Sequence, residues 1–175
     1  EKPGAITFGS TSLGGSPHMS GELLKAMAGV DLLHVPYKGG GPMLTDLIGG
    51  QVQLGFDNLP SSMPHIRSGK VRPIAVTTPE RWPDAPEIPT MAEAGVPGYE
   101  VAAWFGILAP GGTPKPVVEL LHRSAAEILK DPAFEKRLLE LGAKPSGITP
   151  EQFSAMLERE LAKWREVAAK NGLKL

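Results

Sequence analysis

Residues with the means to do chemistry concentrate in three short stretches. The first is Phe8-Gly9-Ser10-Thr11-Ser12-Leu13-Gly14-Gly15-Ser16-Pro17-His18, where a short apolar run enters a Gly/Ser turn and then a helix. Backbone N–H groups in such a turn converge on one point. Ser16 before Pro17 reads as N-cap followed by first helical residue, which aims the positive end of a helix dipole at the same place. That combination suits capture of a carboxylate or phosphate, with Ser10, Thr11, Gly14, Gly15 and Ser16 as candidate contacts. An ordinary connector capping an amphipathic helix would use the same residue types.

The second stretch, Pro36-Tyr37-Lys38-Gly39-Gly40-Gly41-Pro42, repeats the pattern, and Tyr37 and Gly39 join the candidates. Gly39 to Gly41 offer either a second amide nest or only a tight turn, and Lys38 reads most simply as facing solvent. The third is Asp57-Asn58, where Asp57 either meets a ligand or caps the turn that follows. Ser16, His18 and Asp57 resemble a hydrolase inventory, but no G-x-S-x-G elbow accompanies them, so no catalytic residue is assigned. His18, His34, His65 and His122 lack metal-ligand spacing. Neither a metal nor a cofactor is expected.

These stretches need elements to hold them. Ala5 to Phe8 reads as a strand and Pro17 to Ala28 as a helix with Met19, Leu23, Leu24 and Met27 on its buried stripe, stopped by Gly29. Val30 to Val35 is a nearly continuous apolar run, as in a strand covered on both faces of a parallel sheet. A helix at Pro42 to Ile48, a strand at Gln51 to Asp57, a helix at Ser61 to Ser68 and a strand at Val71 to Thr77 follow. Pro79 to Pro97 is a Pro-rich loop holding a short helix at Met91 to Ala94, and Tyr99 to Leu108 is long and apolar. After Pro110-Gly111-Gly112-Thr113-Pro114 the chain reads as all-helical, over Lys115 to Leu129, Pro132 to Leu141 and Pro150 to Asn171. Thr149 and Gln152 form a capping box for the last helix, whose Phe153, Leu157, Leu161, Trp164 and Ala168 share one face. Alternating strands and helices predict an α/β fold with a mainly parallel sheet, in which ligands bind beyond the C-terminal ends of the strands. All three chemical stretches lie at such ends.

Composition narrows the function. The 175 residues are 41% hydrophobic, with a formal net charge of −1 and basic residues scattered along the chain, so a nucleic-acid role has no electrostatic footprint. The chain has no cysteine, which removes disulfides, thiolate metal sites and cysteine nucleophiles. No apolar run approaches the roughly 18 residues that span a bilayer. The opening Glu1-Lys2-Pro3-Gly4 reads as a cut inside a linker.

Six ordered blocks also carry a resemblance. They are Gly9-Ser10 through Gly15-Ser16-Pro17-His18, His34 to Pro42, Gly50 to Asn58, Pro89 to Tyr99, Trp104-Phe105-Gly106, and Ala109 to Lys115. Together they span the chain and look like the receptors of tripartite tricarboxylate transporters, the Bug or TctC-like proteins. The resemblance implies a periplasmic receptor of two lobes, with a type II periplasmic-binding-protein fold, that closes on small organic acids and delivers them to membrane transporter subunits. It implies no enzymatic turnover; an enzyme acting on a small carboxylated substrate in the same crevice is the alternative. It places the second lobe at residues 1–103, a hinge or crossing strand at 104–114 and a helical tail at 115–175 that packs on an absent first lobe. A fragment of this kind is expected to bind its acid weakly or not at all, and its last helix to offer a face for self-association.

Overall fold

The computed structural model describes residues 4–173. They form two compact units, residues 4–103 with 164–173, and residues 104–163. The first unit is built on a three-stranded parallel sheet in the order β2-β1-β3, with β1 at Ile6–Ser10, β2 at Leu32–Pro36 and β3 at Leu54–Phe56. Phe8, on the central strand, pairs with His34 on one side and Leu54 on the other and is fully buried. Its ring stacks on His34 and meets Phe56 edge-on, so one aromatic side chain ties the three strands together. β2 is an edge strand. Its Leu33 is 57% exposed, so the expectation that this run is covered on both faces is corrected for its outward residue.

Helix α1 (Ser16–Ala28) lies against the sheet so closely that a Cβ on Gly21 would come within 2.2 Å of the Phe8 ring. Glycine is the only residue that permits this approach. Met19 and Leu23 are buried as the helical spacing predicts, and Leu24 packs against the same cluster, whereas Met27 at the helix end is 41% exposed. Gly29 closes α1 with a left-handed φ of 63°. The N-terminal boundary needs a correction. Gly15, not Ser16, is the N-cap, no side chain caps the end, and Ser16 already has helical geometry. Helices α2 (Gly40–Ile48) and α3 (Leu59–Arg67) follow β2 and β3 in turn, giving the alternation the sequence predicts.

Residues 71–77 do not form the fourth strand that their apolar pattern predicts. Only a single parallel bridge joins Val76 to Thr90. The segment is held instead by Val76 N–H to Pro89 carbonyl, Met91 N–H to Val76 carbonyl and Val101 N–H to Thr77 carbonyl, each 2.8–2.9 Å. Residues 91–95 are a hydrogen-bonded turn rather than a helix. Val76, Ala85 and Ile88 nevertheless make a small core with Leu59, Met63, Ile66 and Trp82 around them. A larger one joins Met19, Leu23, Tyr99, Val101 and Val167, with Tyr99 donating its hydroxyl to the Ser20 carbonyl at 2.7 Å. The last turns of the final helix, α6 (Pro150–Lys170), therefore belong to the first unit, and Asn171 just beyond them donates to the carbonyl and carboxylate of Glu22.

The second unit holds α4 (Lys115–Ile128), α5 (Pro132–Glu140) and the start of α6. Asp131 caps α5 by accepting from Ala133 and Phe134 N–H. Thr149 and Gln152 exchange the two bonds of the expected capping box, Gln152 N–H to Thr149 Oγ1 at 3.2 Å and Thr149 N–H to Gln152 Oε1 at 2.9 Å. Residues 104–110 carry no regular secondary structure; Trp104 packs edge-on against Phe153, while Phe105 is 88% exposed. No helix among the described residues is long and apolar enough to cross a membrane.

Candidate functional site

The three chemical stretches come together at the C-terminal edge of the sheet. Beyond the strand ends the β1–β2 ladder continues into the loops, as Tyr37 N–H donates to the Ser10 carbonyl and Gly39 N–H to the Thr11 carbonyl, both at 2.9 Å. The two Gly-rich loops are thus one hydrogen-bonded surface. Gly39 takes a φ of 109°, a conformation that side-chain-bearing residues rarely adopt, and this turns the chain from the ladder into α2.

At the start of α1, Gly15 supplies no side chain and Pro17 no N–H, so the first turn presents the amides of Ser16 and His18. Ser12 Oγ occupies the space a Cβ on Gly15 would take, 2.1 Å from it, so the loop folds over this position and a larger residue there would turn the serine hydroxyl away. Ser16 and Pro17 line a small cleft with Ser20, Phe56, Asp57, Asn58, Thr77, Val101 and Ala103. Asp57 on this cleft accepts hydrogen bonds from Ser61 Oγ at 2.5 Å and Ser62 Oγ at 2.7 Å. Its Oδ1 also sits 3.2 Å from where a Cβ on Gly40 would be, beside the N-terminus of α2. The carboxylate therefore lies directly beside the second helix end, whereas the first opens onto the cleft that it lines.

The other predicted residues have internal duties. Ser10 is fully buried; its hydroxyl donates to the Ser12 carbonyl at 3.0 Å and lies 2.7 Å from His34 Nε2. Gly14 N–H donates to His18 Nδ1 at 3.0 Å. Tyr37 Oη donates to Asp46 Oδ2 at 2.8 Å, and Lys38 is exposed. Of the eight candidates, Ser16 and Asp57 share the cleft, Thr11, Gly14, Gly15 and Gly39 belong to the loops beside it, and the side chains of Ser10 and Tyr37 bond within the chain, to Ser12 and His34 and to Asp46.

Beneath the loop lies a feature that spacing did not reveal. His18 and His34, sixteen residues apart, stack with ring centroids 3.9 Å apart and planes at 20°. Burial holds both imidazoles below the ordinary histidine range. For His34 burial and then the charge of His18 push the value down to about 4, while for His18 burial outweighs the nearby Glu22 carboxylate. The missing signal is pairing register, since Phe8 opposes His34 only once β1 and β2 align. Thr77 and Val101 were also missed, because they reach the cleft through a loop read as strand. Among the described residues no three His, Asp or Glu side chains gather as a metal site would need.

This geometry suits an anionic small molecule held by backbone amides, and comparison with known proteins supplies the lineage. The family model described as tripartite tricarboxylate transporter family receptor matches residues 1–173. The chain belongs to this family. Its members are substrate-binding receptors rather than enzymes. Most of the curated relatives it matches are 27–40% identical, and the chain spans about half of their length, 49–54%.

Three solved structures resemble this chain. An adipate-bound protein of R. palustris is 46% identical, with a TM-score of 0.85, and the match covers 98% of this chain and 57% of that one. The periplasmic binding protein BugD is 37% identical with a TM-score of 0.76, over 97% and 57% of the two chains. MatC from Rhodopseudomonas palustris, with bound malate, is 33% identical with a TM-score of 0.76, over 93% and 56%. The α/β architecture with a parallel sheet flanked by helices is common to this chain and its neighbours.

Proposed function

We propose that this chain binds a small carboxylate at the N-terminus of α1 as part of a periplasmic receptor that feeds a tripartite transporter in the membrane. The observation that carries the reading is the open first turn of α1, with no side-chain cap on the Ser16 and His18 amides and with Ser16 on a cleft at the strand ends. Backbone amides recognise the carboxylate, and side chains around the cleft sort the remainder of the ligand. Dicarboxylates are the ligand class to test first, because neighbours carry adipate and malate.

The relatives are about twice as long, so in them residues outside the matched half are available to enclose the acid. On this reading residues 1–103 form one lobe of such a receptor, 104–114 a hinge, and 115–175 a tail that meets the other lobe. A carboxylate held from one side stays wet, and its charge-assisted bonds weaken in high dielectric, so these 175 residues alone bind weakly. Self-association is assigned to the α6 face around Leu161, which is 56% exposed; an unchanged monomeric mass at rising concentration would remove it.

A thermal-shift screen against mono-, di- and tricarboxylates tests the reading, run on this chain and on a version extended to the relatives' length. The expected result is a strong upward shift of the longer protein with a dicarboxylate and a small one for this chain. Chemical conversion of any of the acids, or no shift in either protein, would overturn it.

A further inference from the structure

The pair of buried His18 and half-buried His34 is hydrogen-bonded to the loop that the carboxylate would meet. Ser10 Oγ lies 2.7 Å from His34 Nε2 and 3.0 Å from the Ser12 carbonyl, so it links the β2 imidazole to the loop. His18 Nδ1 accepts the Gly14 N–H, so that nitrogen carries no proton, and the proton of neutral His18 lies on Nε2, facing Glu22 Oε1 at 3.7 Å. The stacked rings join β2 to α1, and His34 also stacks on Phe8.

One nitrogen of each ring thus reaches the loop: His34 Nε2 through Ser10, and His18 Nδ1 through the Gly14 amide. We propose that His18 is a positioning residue, which uses its unprotonated Nδ1 to hold the 10–15 loop in the shape that receives a carboxylate. This rests on the carboxylate-receptor reading above. Protonation of His18 places an N–H against the Gly14 N–H, two donors facing each other, and the tie is lost. It also sets a cation against the stacked His34 ring. The charged and titratable groups around His18 are His34 from β2 and Glu22 and Lys25 from α1, with Lys25 Nζ 3.0 Å from Glu22 Oε1 and Asn171 donating to Glu22 Oε2 at 2.6 Å. Glu22 is thus occupied by two donors besides His18, which limits its support of an imidazolium. Burial likewise keeps His18 neutral at ordinary pH. Loop shape, and with it affinity, should fall in acid.

The test compares parent, His18→Phe and His18→Gln by amide exchange at Gly14 in the ligand-free chain and by adipate affinity. Phe keeps the stack and removes the acceptor, whereas Gln keeps an acceptor and cannot titrate. At about pH 7.5 the Gly14 protection factor should be high in the parent and in His18→Gln and fall about tenfold in His18→Phe. Between about pH 7.5 and about pH 4.5 it should fall in the parent and stay flat in His18→Gln, with adipate affinity following the same pattern. Equal Gly14 protection in folded parent and His18→Phe would overturn the proposal. If His18→Phe does not fold, His18→Gln decides, because a pH profile matching the parent's would overturn it equally. If none of the screened acids binds any variant, in this chain or at the relatives' length, while the Gly14 pattern holds, the receptor reading fails and only the loop-holding contact of His18 stands.

Discussion

Side-chain caps divide the helix N-termini: α1 to α4 have none, with α3 and α4 starting after Asn58 and Pro114. α5 and α6 are closed by their own side chains, Asp131 in one case and the Thr149/Gln152 box in the other. α1 and α2 start from glycines, Gly15 and Gly39, which bring no side-chain cap. Of these two, α2 has the Asp57 carboxylate directly beside Gly40, whereas the first turn of α1 opens onto the cleft, where that same carboxylate is the one acidic lining residue. Side-chain caps contribute about 1 kcal/mol each to stability. Forgoing one at α1, where the strand ends converge, leaves the amides and the dipole for something outside the chain, while the caps of α5 and α6 serve only the helices.

The largest way to break this comparison is acid. The stacked imidazoles lie under the α1 end and not under the capped ends. Held neutral in the fold, they take up protons on unfolding, so stability is fully present above about pH 6.5 and is lost as pH falls toward the depressed folded values. His34, moved from 6.5 to about 4, accounts for at most about 3 kcal/mol of that loss. Amide exchange followed across this range should open residues of the first unit before those of 104–163; the reverse order would count against a special role for the pair.

Next in size is Ser16→Asp, which gives α1 the anion that α2 already has. Carboxylate affinity measured by calorimetry should fall on the order of 100-fold through like-charge repulsion, while the melting temperature holds or rises, since an acidic side chain suits a first turn. Unchanged affinity would mean the acid binds elsewhere. Asp131→Ala makes the opposite kind of change, opening a closed end, and should cost about 1 kcal/mol in a denaturant melt with no effect on binding. The smallest effect is expected of Asp57→Asn, about 0.5 kcal/mol of stability lost from the α2 end, with affinity for a monocarboxylate rising severalfold as a nearby negative charge disappears. Weaker binding in that variant would make Asp57 a direct partner of the ligand instead.

Much of this was legible in the residues. The helix-then-strand alternation, the Gly-rich strand ends and the capping box depend on local chemistry, and Thr149 with Gln152 behaves as its spacing dictates. The cap of α1 was misassigned by one residue because Ser16 and Gly15 both suit the position, and Ser12 Oγ, lying where a Gly15 side chain would be, is visible only in three dimensions. Residues 71–77 have the apolar content of a strand but lack a partner along their length, since the sheet ends at β3 and only Val76 finds a bridge. The His18–His34 stack depends on cross-strand register and on where α1 crosses the sheet, neither of which sequence spacing encodes.

The central claim is that the open end of α1 receives the carboxylate, and backbone amide chemical shifts test it most directly. Adipate titrated into the labelled chain should move the Ser16 and His18 amides most, with smaller changes at Gly15 and around Asp57. Silence at Ser16 and His18, with the largest shifts at Gly40 and Gly41 or within residues 104–163, would contradict the account.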